Sequence, residues 1–182
     1  MIKKTVWKTL KKTKVFSDDP WIHLTREKIQ LPNGRIIPNF YHLNAPDYVV
    51  IIPFFSKNEV MAITQYKHGV KKESVMFPGG GIDKGETSLQ AAKREFLEET
   101  GYQAKKWKYL GSYIKDANHF FCKAHYFIAK DLSFLQSPRI DDTENIKIKK
   151  ISMKQLLMSL KNNKIPLMGV AFGVLLAENF HS

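Results

Sequence analysis

"GGGIDKGETSLQAAKREFLEETGY", residues 79–102, is the stretch on which the reading of this chain turns. A run of three glycines and a fourth, Gly85, lead into a segment with helical signals. Thr87 and Gln90 make a capping-box pair, which starts a helix at Ser88. Gly101 is a natural terminator. At about 100° per residue, Leu89, Ala92 and Phe96 share one face, the apolar one. Glu95, Glu98 and Glu99 fall within an arc of roughly 100° on another. Three carboxylates so close repel one another, and something must offset that cost. The glycines allow a backbone loop to approach the arc closely. Carboxylates and a carbonyl oxygen are hard ligands suited to Mg²⁺ or Mn²⁺. Such a cation would cancel the repulsion. Taken alone, "EFLEE" reads as the solvated acidic face of a surface helix.

The flanking sequence predicts an α/β protein. "WIHLTREKIQLPNGRIIPNFYHL" reads as two strands around Asn33-Gly34, a strong hairpin signal. "DYVVIIPFF" is a buried-type strand whose Pro53 implies an edge or a bulge. "SKNE" turns it into "VMAITQYK", and "SVMFPGGG" is a short strand entering the glycine loop. Further strands are expected near Trp107–Ile114 and Phe120–Ala129. Residues 131–145 read as a polar loop and "IKIKKI" as a strand. Ser152 with Gln155 caps a helix over 153–162. Pro166 opens a last helix, "LMGVAFGVLLAENF", apolar enough to be buried. Residues 1–14 hold six lysines and no acid, and read as a basic amphipathic turn or a frayed tail.

The longer spacing weighs against a plain acidic face. Gly80, Glu86, Arg94-Glu95, apolar Phe96, Glu98-Glu99, Gly101 and apolar Tyr102 stand in an order that resembles the complete signature of the Nudix hydrolases. The resemblance implies a Nudix-type α/β/α sandwich with a mixed sheet, preceded by a small N-terminal β-hairpin subdomain. The boundaries expected are 1–45 for that subdomain and 46–182 for the hydrolase domain. It implies hydrolysis of a nucleoside diphosphate linked to another group, by metal-assisted attack of water on the pyrophosphate. Glu95, Glu98, Glu99 and the carbonyl of Gly79 are the metal ligands it implies, with Mg²⁺ or Mn²⁺ as the cofactor. Glu98 and Arg94 join the catalytic set, Arg94 and Glu86 by holding the ligands in place.

The N-terminal hairpin, the "LPNG" turn, "QYK" at 65–67 and "FPGGGIDKGE" at 77–86 resemble the ADP-ribose and nucleoside-diphosphate-sugar pyrophosphatases. This group implies ADP-ribose or a sugar nucleotide as substrate, two monophosphates as products, and a homodimer whose N-terminal strands help close the partner's site. It places a phosphate-binding residue at Lys67 and a mobile catalytic glutamate in the loop 131–145. Glu144 is the candidate there, with Asp141 and Asp142 as competitors. Asn118, His119 and Tyr41 are candidate substrate contacts. The chain departs from the ADP-ribose pattern at two places. Met76 stands where a glutamate is usual, and Ala117-Asn118 where a proline is.

Composition bounds the alternatives. The chain has 182 residues, 43% of them hydrophobic, enough for a core without disulfides. Cys122 is the only cysteine, which excludes an internal disulfide and suits a reducing, cytoplasmic location. No apolar run has the length of a membrane span, and the basic start lacks the apolar run of a secretory signal. The net charge of +12 comes from 29 lysines and arginines, of which only four are arginine. A diffuse lysine excess reads as a solvated surface, so nucleic acid is not the expected partner. The charge does keep open hydrolysis of nucleoside triphosphates or RNA 5′ ends. A non-catalytic, nucleotide-binding regulator is the remaining reading.

Overall fold

The computed structural model describes residues 6–120, 122–139 and 145–180. The chain divides into two compact units, Met1–Asp47 with Ile114–Lys123, and Tyr48–Tyr113 with Ala124–Ser182.

The first unit is a three-stranded antiparallel sheet, β1 (Lys8–Asp18), β2 (Ile22–Gln30) and β3 (Ile36–Asn44), in that order. The Asn33-Gly34 turn joins β2 to β3, with Gly34 N–H donating to the Leu31 carbonyl at 2.9 Å. Residues 8–14 are therefore strand, not the basic turn or frayed tail that their composition suggested. Register shifts between Thr9 and Lys11 and between Lys14 and Phe16 explain why no clean alternation showed. Ile29 is buried within this unit, as is Glu27, which accepts from Thr9 Oγ1 at 2.8 Å and faces Lys12 at 3.6 Å.

The second unit carries a six-stranded mixed sheet. β4 (Tyr48–Ser56), β5 (Glu59–Lys67) and β6 (Lys72–Met76) precede α1 (Ser88–Thr100); β7 (Tyr102–Ile114), β8 (Lys123–Phe134), β9 (Lys147–Ser152), α2 (Met153–Lys161) and α3 (Met168–Phe180) follow. The order is β6-β5-β4-β8-β7, with β9 on β5. β4 and β8 run parallel, from Tyr48 opposite Ala124 to Pro53 opposite Ala129. β4 is thus interior, and Pro53 sits beside the irregularity at Phe54–Ser56 rather than on an edge. β8 extends to Phe134, so the first residues of the expected loop 131–145 are strand.

β4 is buried on both faces, which is why its sequence is continuously apolar. Val49 and Ile51 pack with Ala91, Ala92 and Phe96 of α1 and with Phe127 of β8. Ile52 and Phe54 pack with Met153 and Leu156 of α2 and with Val170 and Val174 of α3. Helices therefore cover both faces, giving the expected α/β/α layering. Phe96 is wholly buried, and its truncation to alanine would cost about 3–5 kcal/mol. Leu89 is an exception on the apolar face of α1. It is exposed and has no place in the cluster that buries Ala92 and Phe96. α3 likewise buries one side only, leaving Met168, Leu175 and Phe180 exposed.

Candidate active site

Both ends of α1 form as their local chemistry dictates. Thr87 is the N-cap of a reciprocal capping box with Gln90, and Gly101 closes the helix in the left-handed conformation at φ 73°, donating to the Leu97 carbonyl at 2.8 Å. The glycine loop lies along β4. Val49 N–H donates to the Gly80 carbonyl at 2.9 Å, and Ile51 N–H to the Pro78 carbonyl at 2.8 Å. At Gly79 only glycine fits this approach. A Cβ on Gly79 would lie 2.1 Å from the Val49 carbonyl oxygen, and Gly79 has φ 152°. A Cβ on Gly80 would lie 2.5 Å from the carboxyl carbon of Glu95.

Two acids of the α1 arc, Glu95 and Glu99, are thereby brought against the loop. Gly79 N–H donates to Glu99 Oε2 at 2.8 Å, and Glu99 is buried. Arg94 supplies the counter-charge. Its Nε donates to Glu86 Oε1 at 3.1 Å and its Nη2 to Glu86 Oε2 at 3.0 Å, a bidentate pair. Nη1 donates to Glu95 Oε1 at 2.7 Å and to Glu98 Oε2 at 3.1 Å. Nη2 also reaches the Gly81 carbonyl at 2.9 Å. The Arg94 side chain is about seven-tenths buried by these partners, and they raise its pKa, Glu86 foremost. In return the hydrogen bond from Arg94 holds the Glu86 carboxyl below the usual range.

In this arrangement the Arg94 guanidinium stands among Glu86, Glu95 and Glu98. Among the described residues no group of three or more His, Cys, Asp or Glu side chains is gathered so as to hold a metal. The donor chemistry nevertheless fits a hard divalent cation: Glu95, Glu98 and Glu99 offer oxygen only. Each carboxylate has about four lone-pair sites, so a contact to Arg94 or Gly79 does not exhaust it.

The other candidates distribute between the units. Lys67 ends β5, half-buried. Tyr41 is exposed on β3. His119 N–H and Nδ1 are both directed to Asp116, Nδ1 at 2.9 Å from Oδ2, and Asn118 N–H donates to Asp116 Oδ1 at 2.8 Å. His119 depresses the Asp116 pKa. Glu144, Asp141 and Asp142 lie outside the described residues. Asp83, not among the expected site residues, joins this cluster: its backbone N–H donates to Glu86 Oε2 at 3.2 Å and its carboxylate lies 3.6 Å from Arg94 Nη2. An acid followed by Lys-Gly-Glu is a turn signal that pointed to it.

Comparison with known proteins gives the family. Residues 45–168 match the NUDIX domain, and residues 7–43 match the nucleoside diphosphate sugar hydrolase N-terminal domain. The chain is 26% identical to an ADP-ribose pyrophosphatase of Bacillus subtilis (strain 168), over 87% of this chain and 85% of that one. It is 27% identical, over the same shares, to a methanol dehydrogenase activator of Bacillus methanolicus. A crystal structure of an ADP compounds hydrolase superposes with a TM-score of 0.80 at 20% identity, covering 96% of this chain and 93% of that one, which establishes a common fold. The chain belongs to the Nudix hydrolase family.

Proposed function

We propose that this hydrolase cleaves the pyrophosphate bond of ADP-ribose or a sugar nucleotide, releasing two monophosphates, with Mg²⁺ or Mn²⁺ as cofactor. The observation that carries the reading is the seating of Glu95 and Glu99 against the Gly79–Gly80 backbone, with Arg94 holding Glu95 and Glu98. Glu95, Glu98 and Glu99 would hold the cation. Carbonyls alternate along extended backbone, and β4 takes those of Pro78 and Gly80, so the Gly79 carbonyl turns away from that strand as a further donor. A divalent ion there would neutralise pyrophosphate charge and make water a better nucleophile. Arg94 keeps Glu95 and Glu98 from splaying apart. Lys67 is proposed to meet a substrate phosphate, Glu144 to accept the proton from water, and Tyr41, Asn118 and His119 to contact the nucleotide. The relative named ADP-ribose pyrophosphatase and the match of the N-terminal segment support the substrate class.

The test is a panel of ADP-ribose, sugar nucleotides, nucleoside triphosphates and 5′-triphosphorylated RNA, with Mg²⁺, Mn²⁺ or EDTA and chromatographic resolution of products. Two monophosphates, formed only with metal, are expected. Release of inorganic pyrophosphate from triphosphates would favour the other enzymatic reading, and full turnover in EDTA would reject metal dependence. A homodimer and a cytoplasmic location belong to the same proposal. No described helix is long and apolar enough to cross a membrane. Val6, Trp7, Phe16 and Trp21 of the first unit are exposed apolar side chains that a second copy would cover. Light scattering should give twice 21.0 kDa at micromolar concentration; a monomer would contradict the dimer.

A further inference from the structure

The first unit has two unlike sheet faces. On one, Glu27 lies opposite Lys12 and is buried. On the other, Lys11 is the cross-strand partner of Lys28, and Thr13 that of Arg26, which in turn faces Tyr41 on β3. Lys8, opposite Gln30, continues this face. Lys8, Lys11, Arg26 and Lys28 are all exposed. Among the described residues none of Lys11, Arg26 and Lys28 pairs with a carboxylate, whereas Lys12 has Glu27. Like charges set directly opposite each other destabilise a sheet. Here the two lysines and the arginine border one groove of about 200 Å³, lined also by Thr13, Pro38 and Asn39.

That lining describes a ligand. Three cations call for more than one negative charge. The planar fork of an arginine fits two oxygens of one acidic group. The Thr13 hydroxyl and the Asn39 amide add neutral donors for further oxygens. A phosphate or pyrophosphate has that charge and that density of acceptors, and a monocarboxylate does not. We propose that this groove is a binding site for small phosphate anions, built from Lys11, Arg26 and Lys28 and separate in its residues from the glycine-loop site. Binding there offsets the repulsion between Lys11 and Lys28, as Arg94 offsets that among the glutamates.

The experiment is isothermal titration of the full chain with sodium pyrophosphate in EDTA, which keeps divalent ions from the glycine-loop site. Sodium chloride at matched ionic strength serves as the control, because diffuse lysine surfaces respond to salt alone. One-to-one binding is expected for the parent and unchanged for Glu98→Gln. Arg26→Gln and Lys28→Gln should each weaken it by about tenfold or more, as for loss of a charge-assisted hydrogen bond. Both side chains are exposed, so thermal melts should match the parent; Lys11→Gln replaces either variant that fails to fold. Heats equal to those of chloride, or variants that bind like the parent, would overturn the proposal. So would a single-stranded RNA oligonucleotide that binds through the same residues where pyrophosphate does not, since the face would then be a nucleic-acid surface.

Discussion

Arg94 grips both carboxylate oxygens of Glu86, Nε to Oε1 at 3.1 Å and Nη2 to Oε2 at 3.0 Å. The same guanidinium still reaches Glu95 and Glu98 with Nη1. Arg94→Lys keeps the charge and loses the fork. Turnover should fall by about 10- to 100-fold through misplacement of the acids. Arg94→Ala should also lower stability by roughly 1–3 kcal/mol, a range discounted for partial exposure. Steady-state kinetics and urea melts of the two variants measure the two effects.

Acid should dissolve this clamp. The Glu86 pKa is depressed in the folded chain by Arg94. Its contribution to stability is therefore fully present above the ordinary carboxylate pKa and is lost as pH falls through the depressed one. Glu86→Gln should be less stable than the parent at pH 7, and the gap should close at a pH well below the ordinary carboxylate range. Denaturant midpoints at both pH values decide it; a gap that persists in acid would mean that Glu86 acts through packing.

Adjacent glycines should answer to alanine in different ways. At Gly79 a Cβ meets the backbone oxygen of Val49, which cannot move, in a conformation that alanine rarely adopts. Gly79→Ala should lose at least 2–3 kcal/mol, on the order of strain plus a broken ladder contact. At Gly80 the Cβ meets the end of the Glu95 side chain, which can swing aside. Gly80→Ala should keep a near-parental melt while activity drops, by an order of magnitude or more if Glu95 holds metal. Melting curves beside kinetics on both variants would show the split.

Two acids should separate metal binding from proton transfer. Glu98→Gln removes a proposed ligand and should weaken Mn²⁺ affinity along with kcat. Glu144→Gln should leave Mn²⁺ affinity near the parent's and lower kcat by roughly 10²- to 10⁴-fold, the usual range for losing a general base. Mn²⁺ titration followed by electron paramagnetic resonance, run beside turnover, checks both. An Asp142→Asn variant that is inactive where Glu144→Gln is not would move the base to Asp142.

What could be read in advance was what is encoded locally. α1 begins and ends where Thr87, Gln90 and Gly101 place it, because caps act within one helical turn. Ser152 and Gln155 do the same for α2. β1 was missed because only pairing with β2 makes strand of a lysine-rich segment with two register shifts. The helical spacing of Arg94 and Glu98 was legible. The grip of Arg94 on Glu86 depends on how the glycine loop folds back, which no periodicity reports. Leu89 matched the apolar face but is exposed, since helical periodicity does not report how much of a face its neighbours cover.

The end of α1 also sets a tether. The Gly101 carbonyl accepts from the backbone N–H of Leu135 at 2.9 Å and of Gln136 at 3.3 Å, and the Glu98 carbonyl from that of Arg139 at 2.9 Å. The backbone of Glu98 thus anchors the chain that leads to Glu144, five residues farther on. Five extended residues span at most about 17 Å. The proton acceptor proposed for the reaction therefore stands within that chain length of an anchor on the same residue that is proposed to offer a carboxylate to the metal. Lengthening 140–143 by insertion would raise that upper limit without touching either acid.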